Sequence, residues 1–157
     1  MSRTEAWLAI AELLAKAANR VDAGDLDGWL ECFAETSRYH ILSRENHERG
    51  LPLKLFQCDS KNMMRDRVLS LREANVVNIH RDQHVIGLPQ VFADEDGGWR
   101  AESGYAVYQT DQEGVSRLFS VGVYLDRIRI EDGLACFVER RVIVDTFGIQ
   151  NMLSTPI

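Results

Sequence analysis

Several residue patterns that would assign an activity are missing from this sequence of 157 residues. It contains no glycine-rich nucleotide-binding pattern (G-x-G-x-x-G or a P-loop) and no G-x-S-x-G nucleophile motif. Acidic residues outnumber basic ones, 24 to 18, and the net charge of −6 disfavours nucleic acid and anionic membrane as partners. Because no run of about 18 apolar residues exists, we expect no membrane span.

Cysteine is also scarce. The three cysteines, Cys32, Cys58 and Cys136, are odd in number, far apart and include no C-x-x-C pair. This pattern does not suit a disulfide framework. We therefore predict buried, reduced thiols in a cytoplasmic protein.

Composition and length predict one globular domain spanning residues 1–157, with 45% hydrophobic and 27% charged residues. Apolar residues three and four apart predict a first helix, which Gly24 ends. Asp25 can cap a short second helix over LDGWLECF, and Asp59 or Ser60 can cap a third. The stripe of the first helix comprises Trp7, Ile10, Leu14, Ala17 and Val21, and that of the third comprises Met64, Val68 and Leu71.

Period-two patterns and turn residues predict the strands, with a long loop over residues 44–56. The predicted strands span residues 37–43, 84–93, 99–110, 115–130 and 134–146. The element order is therefore helices, one strand, a helix and a four-strand antiparallel meander. This order indicates an α+β fold, in which a curved antiparallel sheet wraps like a cone around the N-terminal helices.

His80, Asp82 and His84 raise the question of a metal site. The run H-R-D supplies two members of the facial triad that binds non-haem iron, but the triad also needs a distant downstream histidine. No histidine follows His84. A third ligand would have to be a carboxylate, His40 or His47, so we predict no metal on this chain and interpret the histidines as structural or interfacial.

A cone of this kind can enclose a pocket, and an aspartate buried beside polar groups there can act as a general base with a raised pKa. The residues that could line such a pocket are Tyr39, His40, His84, Tyr105, Tyr108 and Tyr124. The alternative hypothesis is therefore a free-standing isomerase or dehydratase. We favour the opposite interpretation, in which each tyrosine packs its ring in the core, because no pairing is visible in the sequence.

One long segment, MMRDRVLSLREANVVNIHRDQHVIGLP, resembles the small (β) subunit of aromatic-ring-hydroxylating oxygenases of the Rieske non-haem iron class. Three other stretches are similar to the same family, in the same order: YHILSRENHERGLPL, SVGVYLDRI and ERRVIVDTFGIQNMLSTPI. The resemblance covers nearly the whole chain. It points to the small subunits of oxygenases that act on aromatic acids such as salicylate, anthranilate or terephthalate.

The resemblance implies a fold of the nuclear-transport-factor-2-like (NTF2-like, or SnoaL-like) type and a non-catalytic, structural role. It also implies a large (α) partner subunit that carries a Rieske [2Fe-2S] cluster and a mononuclear non-haem iron. The expected assembly is an α3β3 hexamer with a trimer of small subunits, supplied with electrons by a separate reductase or ferredoxin. This chain lacks the Cys-x-His pairs that a Rieske centre requires.

Four charged residues near the end of the chain are the candidates for subunit contacts. Asp126, Arg140, Arg141 and Asp145 could form ion pairs between subunits, or equally within the chain. No catalytic, cofactor-binding or metal-binding residue is predicted on this chain.

Overall fold

The structure is a computed structural model that describes residues 1–74, 79–146 and 156–157. Helix α1 (Arg3–Asp22) begins at a capping box: the Ser2 hydroxyl accepts the Glu5 N–H, and the Glu5 carboxylate accepts the Ser2 N–H. Gly24, at φ +72°, takes the left-handed conformation just beyond the helix end. The predicted stripe is confirmed, since Ile10, Leu14, Ala17 and Val21 are buried and Trp7 packs partly buried against them.

The next segment departs from the prediction at three places. Helix α2 (Leu26–Leu30) is capped by Asp25 but ends early, because strand β1 (Phe33–Ser43) begins four residues before residue 37. The predicted loop over residues 44–56 is wrong in part. It contains helix α3 (Arg44–Glu48), capped by the Ser43 hydroxyl, and ends at strand β2 (Phe56–Cys58).

Helix α4 (Lys61–Ala74) confirms the third predicted helix. The Ser60 hydroxyl accepts the Met63 N–H at its start. Met64 and Val68 are buried and Leu71 is partly buried, as the pattern predicts. No helix in the described ranges is long and apolar enough to cross a membrane.

The remaining strands follow the predicted turns closely. The predicted strand over residues 84–93 is two strands, separated at residues 87–89 where Pro89 interrupts the pattern. The structure has β3 (Arg81–Ile86), β4 (Gln90–Ala93), β5 (Trp99–Thr110), β6 (Ser116–Glu131) and β7 (Leu134–Val144).

All seven strands form one sheet in the order β2-β1-β7-β6-β5-β3, and β4 also pairs with β5. The meander is antiparallel, but β1 and β7 pair in parallel, which corrects the expectation of an entirely antiparallel sheet. A parallel pair needs a long crossover, and here most of the chain lies between the two strands. The α+β class with a curved sheet around N-terminal helices is confirmed.

The sheet has an inner face, which packs against α1, and an outer face. Residues that alternate along a strand face opposite sides, so the buried partners of the α1 stripe define the inner face. Inner residues include Tyr39, Ile41, Tyr105, Val107, Tyr124 and Val142. The outer face carries the residues between them, and helix α3 contacts its β1–β7 half.

Candidate functional site

Asp126 and Arg140, two of the predicted contact residues, lie inside the protein. They sit opposite each other on β6 and β7, and each is only 3% exposed. Arg140 donates twice to the Asp126 carboxylate, at 2.9 and 2.8 Å. The guanidinium also lies 4.1 Å from the ring centres of Tyr124 and Phe137. Burial raises the pKa of the Asp126 carboxyl, although the Arg140 guanidinium opposes this shift. This pair joins two strands within the chain.

Arg141 and Asp145, the other two candidates, lie on the outer side of the sheet. Asp145 accepts two hydrogen bonds from Arg44, at 2.5 and 3.0 Å, and this pair is exposed. The hydrogen bond from Arg44 lowers the pKa of Asp145. Arg141 is part-buried and forms no ion pair with any other described residue. A role at subunit contacts stays a prediction for these residues.

The tyrosines that could line a pocket mostly complete the core. Tyr39 is 1% exposed, donates its hydroxyl to the Ile157 carbonyl at 2.8 Å and accepts the Ile157 N–H at 3.1 Å. Tyr105 stacks on Tyr124 with ring centres 4.4 Å apart and bonds the Ser120 hydroxyl. Burial raises the pKa of Tyr105 to about 12, and that of Tyr39 further. Phenols held neutral in this way do not serve as bases near neutral pH.

The buried histidines each pair with an aspartate that sequence patterns did not reveal. His84 Nδ1 lies 2.6 Å from Asp22 Oδ1, and Asp22 also accepts the His84 backbone N–H at 2.8 Å. Asp22 thereby joins the end of α1 to the edge strand β3. On the opposite side of the sheet, His40 Nε2 lies 2.7 Å from Asp59 Oδ1, and this hydrogen bond lowers the pKa of Asp59.

The structure shows how the side chains that could bind a metal are arranged. Within residues 1–74, 79–146 and 156–157, no three His, Cys, Asp or Glu side chains lie together as metal ligands would. Cys32 and Cys58 are buried free thiols, and burial raises the pKa of Cys58 to about 11. Since the sequence has no Cys-x-His pair, these residues do not fit a Rieske centre.

The outer face contains a groove that sequence patterns did not reveal. Its volume is about 520 Å³. Arg44 and His47 from α3 line one part of it. Leu88 from the β3–β4 connection and Gln90 at the start of β4 line another. It is also lined by Glu102, Ser103, Gly104, Val123 and Leu125 from β5 and β6. One sequence clue was available: a glycine in the middle of the apolar β5 pattern, which is uncommon in a strand.

Comparison with known proteins identifies the family. The sequence pattern of the family described as "Ring hydroxylating beta subunit" matches residues 16–151. The chain belongs to this family. This confirms the resemblance seen in the sequence: the chain is a subunit of a ring-hydroxylating oxidoreductase complex.

Individual relatives align with this chain over almost its whole length. The small subunit of anthranilate 1,2-dioxygenase from Burkholderia cepacia is 38% identical over 152 residues, which cover 96% of this chain and 94% of that one. A β subunit of terephthalate 1,2-dioxygenase from Comamonas is 29% identical, covering 94% and 96%. Among solved structures, one described as the β subunit of an aromatic-ring-hydroxylating dioxygenase from Novosphingobium aromaticivorans superposes with a TM-score of 0.87, at 34% identity and 97% coverage of both chains. The predicted NTF2-like cone is thereby confirmed.

Proposed function

We propose that this small subunit is the structural component of a Rieske-type oxygenase that hydroxylates an aromatic acid of the anthranilate, salicylate or terephthalate kind. The observation that carries the proposal is the 38% identity to the anthranilate dioxygenase small subunit over nearly the full length of both chains. The partner is a large subunit that holds a [2Fe-2S] cluster and a mononuclear iron. A separate reductase or ferredoxin supplies its electrons.

In the proposed assembly, three small and three large subunits form an α3β3 hexamer in the cytoplasm, and the whole range 1–157 acts as one scaffold domain. Electron transfer between neighbouring large subunits requires them to be held in register, and the small subunits supply that alignment. The free, buried thiols of Cys32 and Cys58 suit a reducing compartment. The ring substrate is bound by the large subunit.

The alternative of a free-standing isomerase or dehydratase is not favoured. The inner face is filled by aromatic side chains that pack on each other, with Trp29, Phe33 and Tyr39 in edge-to-face contact. Two sets of polar groups there pair with each other: Arg140 with Asp126, and Tyr105 with Ser120. A general acid or base must be able to reach the proton that it transfers, and these groups are instead hydrogen-bonded to each other.

The proposal is tested by expressing the chain with an affinity tag beside its own large subunit. We expect the two to copurify in equal amounts, with iron and hydroxylation of anthranilate or terephthalate found only in the complex. The tagged chain alone should bind no stoichiometric iron. A large subunit that assembles and is fully active without this chain, while the chain elutes alone, would overturn the proposal.

A further inference from the structure

Strand β3 forms one edge of the sheet, where backbone groups point away from the other strands. Among the described residues, β3 stands last in the strand order and pairs with β5 in antiparallel fashion. The Gly87 N–H bonds the Gly104 carbonyl, so the backbone of β3 faces β5 at this position and at every second residue before it. The residues in between, Asp82, His84 and Ile86, therefore direct their N–H and carbonyl groups toward the outer edge.

His84, the middle residue of these three, has both of its edge-facing backbone groups covered by side chains. Asp22 Oδ2 accepts the His84 N–H at 2.8 Å, and the Gln83 side-chain amide donates to the His84 carbonyl at 3.3 Å. The same amide lies 3.3 Å from Asp22 Oδ2. The His84 ring holds the other carboxylate oxygen, with Nδ1 2.6 Å from Asp22 Oδ1. The carboxylate thus occupies the position where the carbonyl of an added strand would bond.

Helix α1 does not itself favour an aspartate at position 22. Asp22 is the last residue of the helix, and the C-terminal end of a helix dipole favours cations over carboxylates. Its side chain is only 12% exposed, and a buried charge is costly unless it is hydrogen-bonded. Its hydrogen-bond contacts with other described side chains and edge groups are all with His84 and Gln83 of β3. The favourable contacts of Asp22 therefore lie at the sheet edge rather than in the helix.

An uncovered β3 would invite pairing with a strand of another chain. Val85, next to His84, is 54% exposed, and an edge that combines apolar side chains with unpaired N–H groups is a template for such pairing. Proteins block these edges with charged side chains or with a covering element. We propose that Asp22, His84 and Gln83 form an edge cap that closes β3 to strand addition by another chain. This inference goes beyond the proposed function and does not depend on it.

Hydrogen exchange of the full-length chain, followed for each residue by NMR, tests the edge cap directly. In Asp22→Ala the His84 N–H loses its acceptor, so its exchange should accelerate by about tenfold or more. The Val85 N–H faces β5 and should keep its protection. Glu12→Ala removes the same charge from an exposed position of α1 and should leave both rates unchanged. Unchanged exchange of the His84 N–H in Asp22→Ala overturns the inference.

The rate of cross-β aggregation, measured by thioflavin fluorescence, tests the consequence for strand addition. Asp22→Ala should aggregate about tenfold faster than the unaltered chain, because its edge is open to other chains. Gln83 is exposed, so Gln83→Ala keeps the fold while it uncovers the His84 carbonyl, and a smaller acceleration of about threefold is expected.

A charge on the edge separates strand addition from loss of stability. Val85→Lys adds a charge to the edge without restoring the hydrogen bonds of the edge cap, and in combination with Asp22→Ala it should return aggregation close to the rate of the unaltered chain. Tyr39→Phe weakens the core on β1, at the other side of the sheet, and should not aggregate faster. No acceleration in Asp22→Ala and Gln83→Ala, or a double variant that aggregates as fast as Asp22→Ala, overturns the inference.

Discussion

Gly122 and Gly104 occupy neighbouring strands of one sheet but face its opposite sides. A Cβ at Gly122 would lie 2.0 Å from the Ile143 carbonyl oxygen and 3.1 Å from the Tyr105 ring. The nearest atom to a Cβ at Gly104 would be the Gly122 carbonyl oxygen, at 4.0 Å. The inner face is therefore fixed by the folding of this chain. The outer face has room that folding does not use, and in a structural subunit such room is available for assembly. Substitutions on the inner face should therefore lower the free energy of unfolding more than substitutions on the outer face.

The largest effect should come from the buried ion pair of the inner face. Arg140→Met leaves the Asp126 carboxylate buried, 3% exposed, without its two hydrogen bonds from the guanidinium. Breaking such a pair costs about 3–5 kcal/mol, so the free energy of unfolding in urea should fall by that amount. The double variant Arg140→Met with Asp126→Leu should recover much of the loss. Equal loss in the single and double variants would mean that the pair is not the cause.

The two glycines provide the direct test of the contrast. Gly122→Ala forces the β6 and β7 backbones apart, and overpacking of this kind costs about 1–3 kcal/mol. Gly104→Ala should be neutral or stabilising by about 0.5 kcal/mol, because alanine loses less conformational freedom on folding. Urea denaturation of the two variants measures both values. A Gly104→Ala chain as unstable as Gly122→Ala would show that the outer face is also fixed by folding.

The same contrast explains how much the sequence could predict. Strand β5 (Trp99–Thr110) was predicted with its correct bounds because its inner residues alternate strictly with outer ones, and one face of the pattern is apolar. Helix α3 was missed because it has five residues, none of them buried, followed closely by Gly50 and Pro52. Local pattern does not identify so short a helix.

Long-range pairings lay beyond sequence patterns for a different reason. The parallel pairing of β1 with β7 joins strands that are about a hundred residues apart, and His84 meets Asp22 across 62 residues. No periodicity connects such positions. For Arg140 and Arg141 the sequence indicated two charged side chains but not which face of the strand each one lies on. The alternation of the strand puts Arg140 inside, where it pairs with Asp126, and puts Arg141 outside. A role of these residues at subunit contacts stays a prediction.

A smaller effect is expected from the tyrosine hydroxyls of the two faces. Tyr39→Phe removes the partner of both the N–H and the carbonyl of Ile157, which are buried, and should cost about 1–3 kcal/mol. Tyr108→Phe, at a tyrosine that is 41% exposed, should change stability by less than about 0.5 kcal/mol. Thermal denaturation of the two variants in parallel provides the comparison. Similar melting temperatures for both would contradict the assignment of Tyr39 to the core.

The smallest effect concerns the titration of His47 beside the outer groove. Burial, and then the charges of Arg141 and Arg44, lower the pKa of His47 below its usual 6.5. A group whose pKa is lower in the folded chain favours folding above the unfolded value, and this contribution is lost as the pH falls through the folded value. Stability should therefore decrease slightly from pH 7.5 to pH 5, and His47→Gln should reduce the slope. NMR titration of the isolated chain should place the His47 pKa below 6.5, and Arg141→Gln should move it upward. A His47 pKa at or above 6.5 in the folded chain would contradict this prediction.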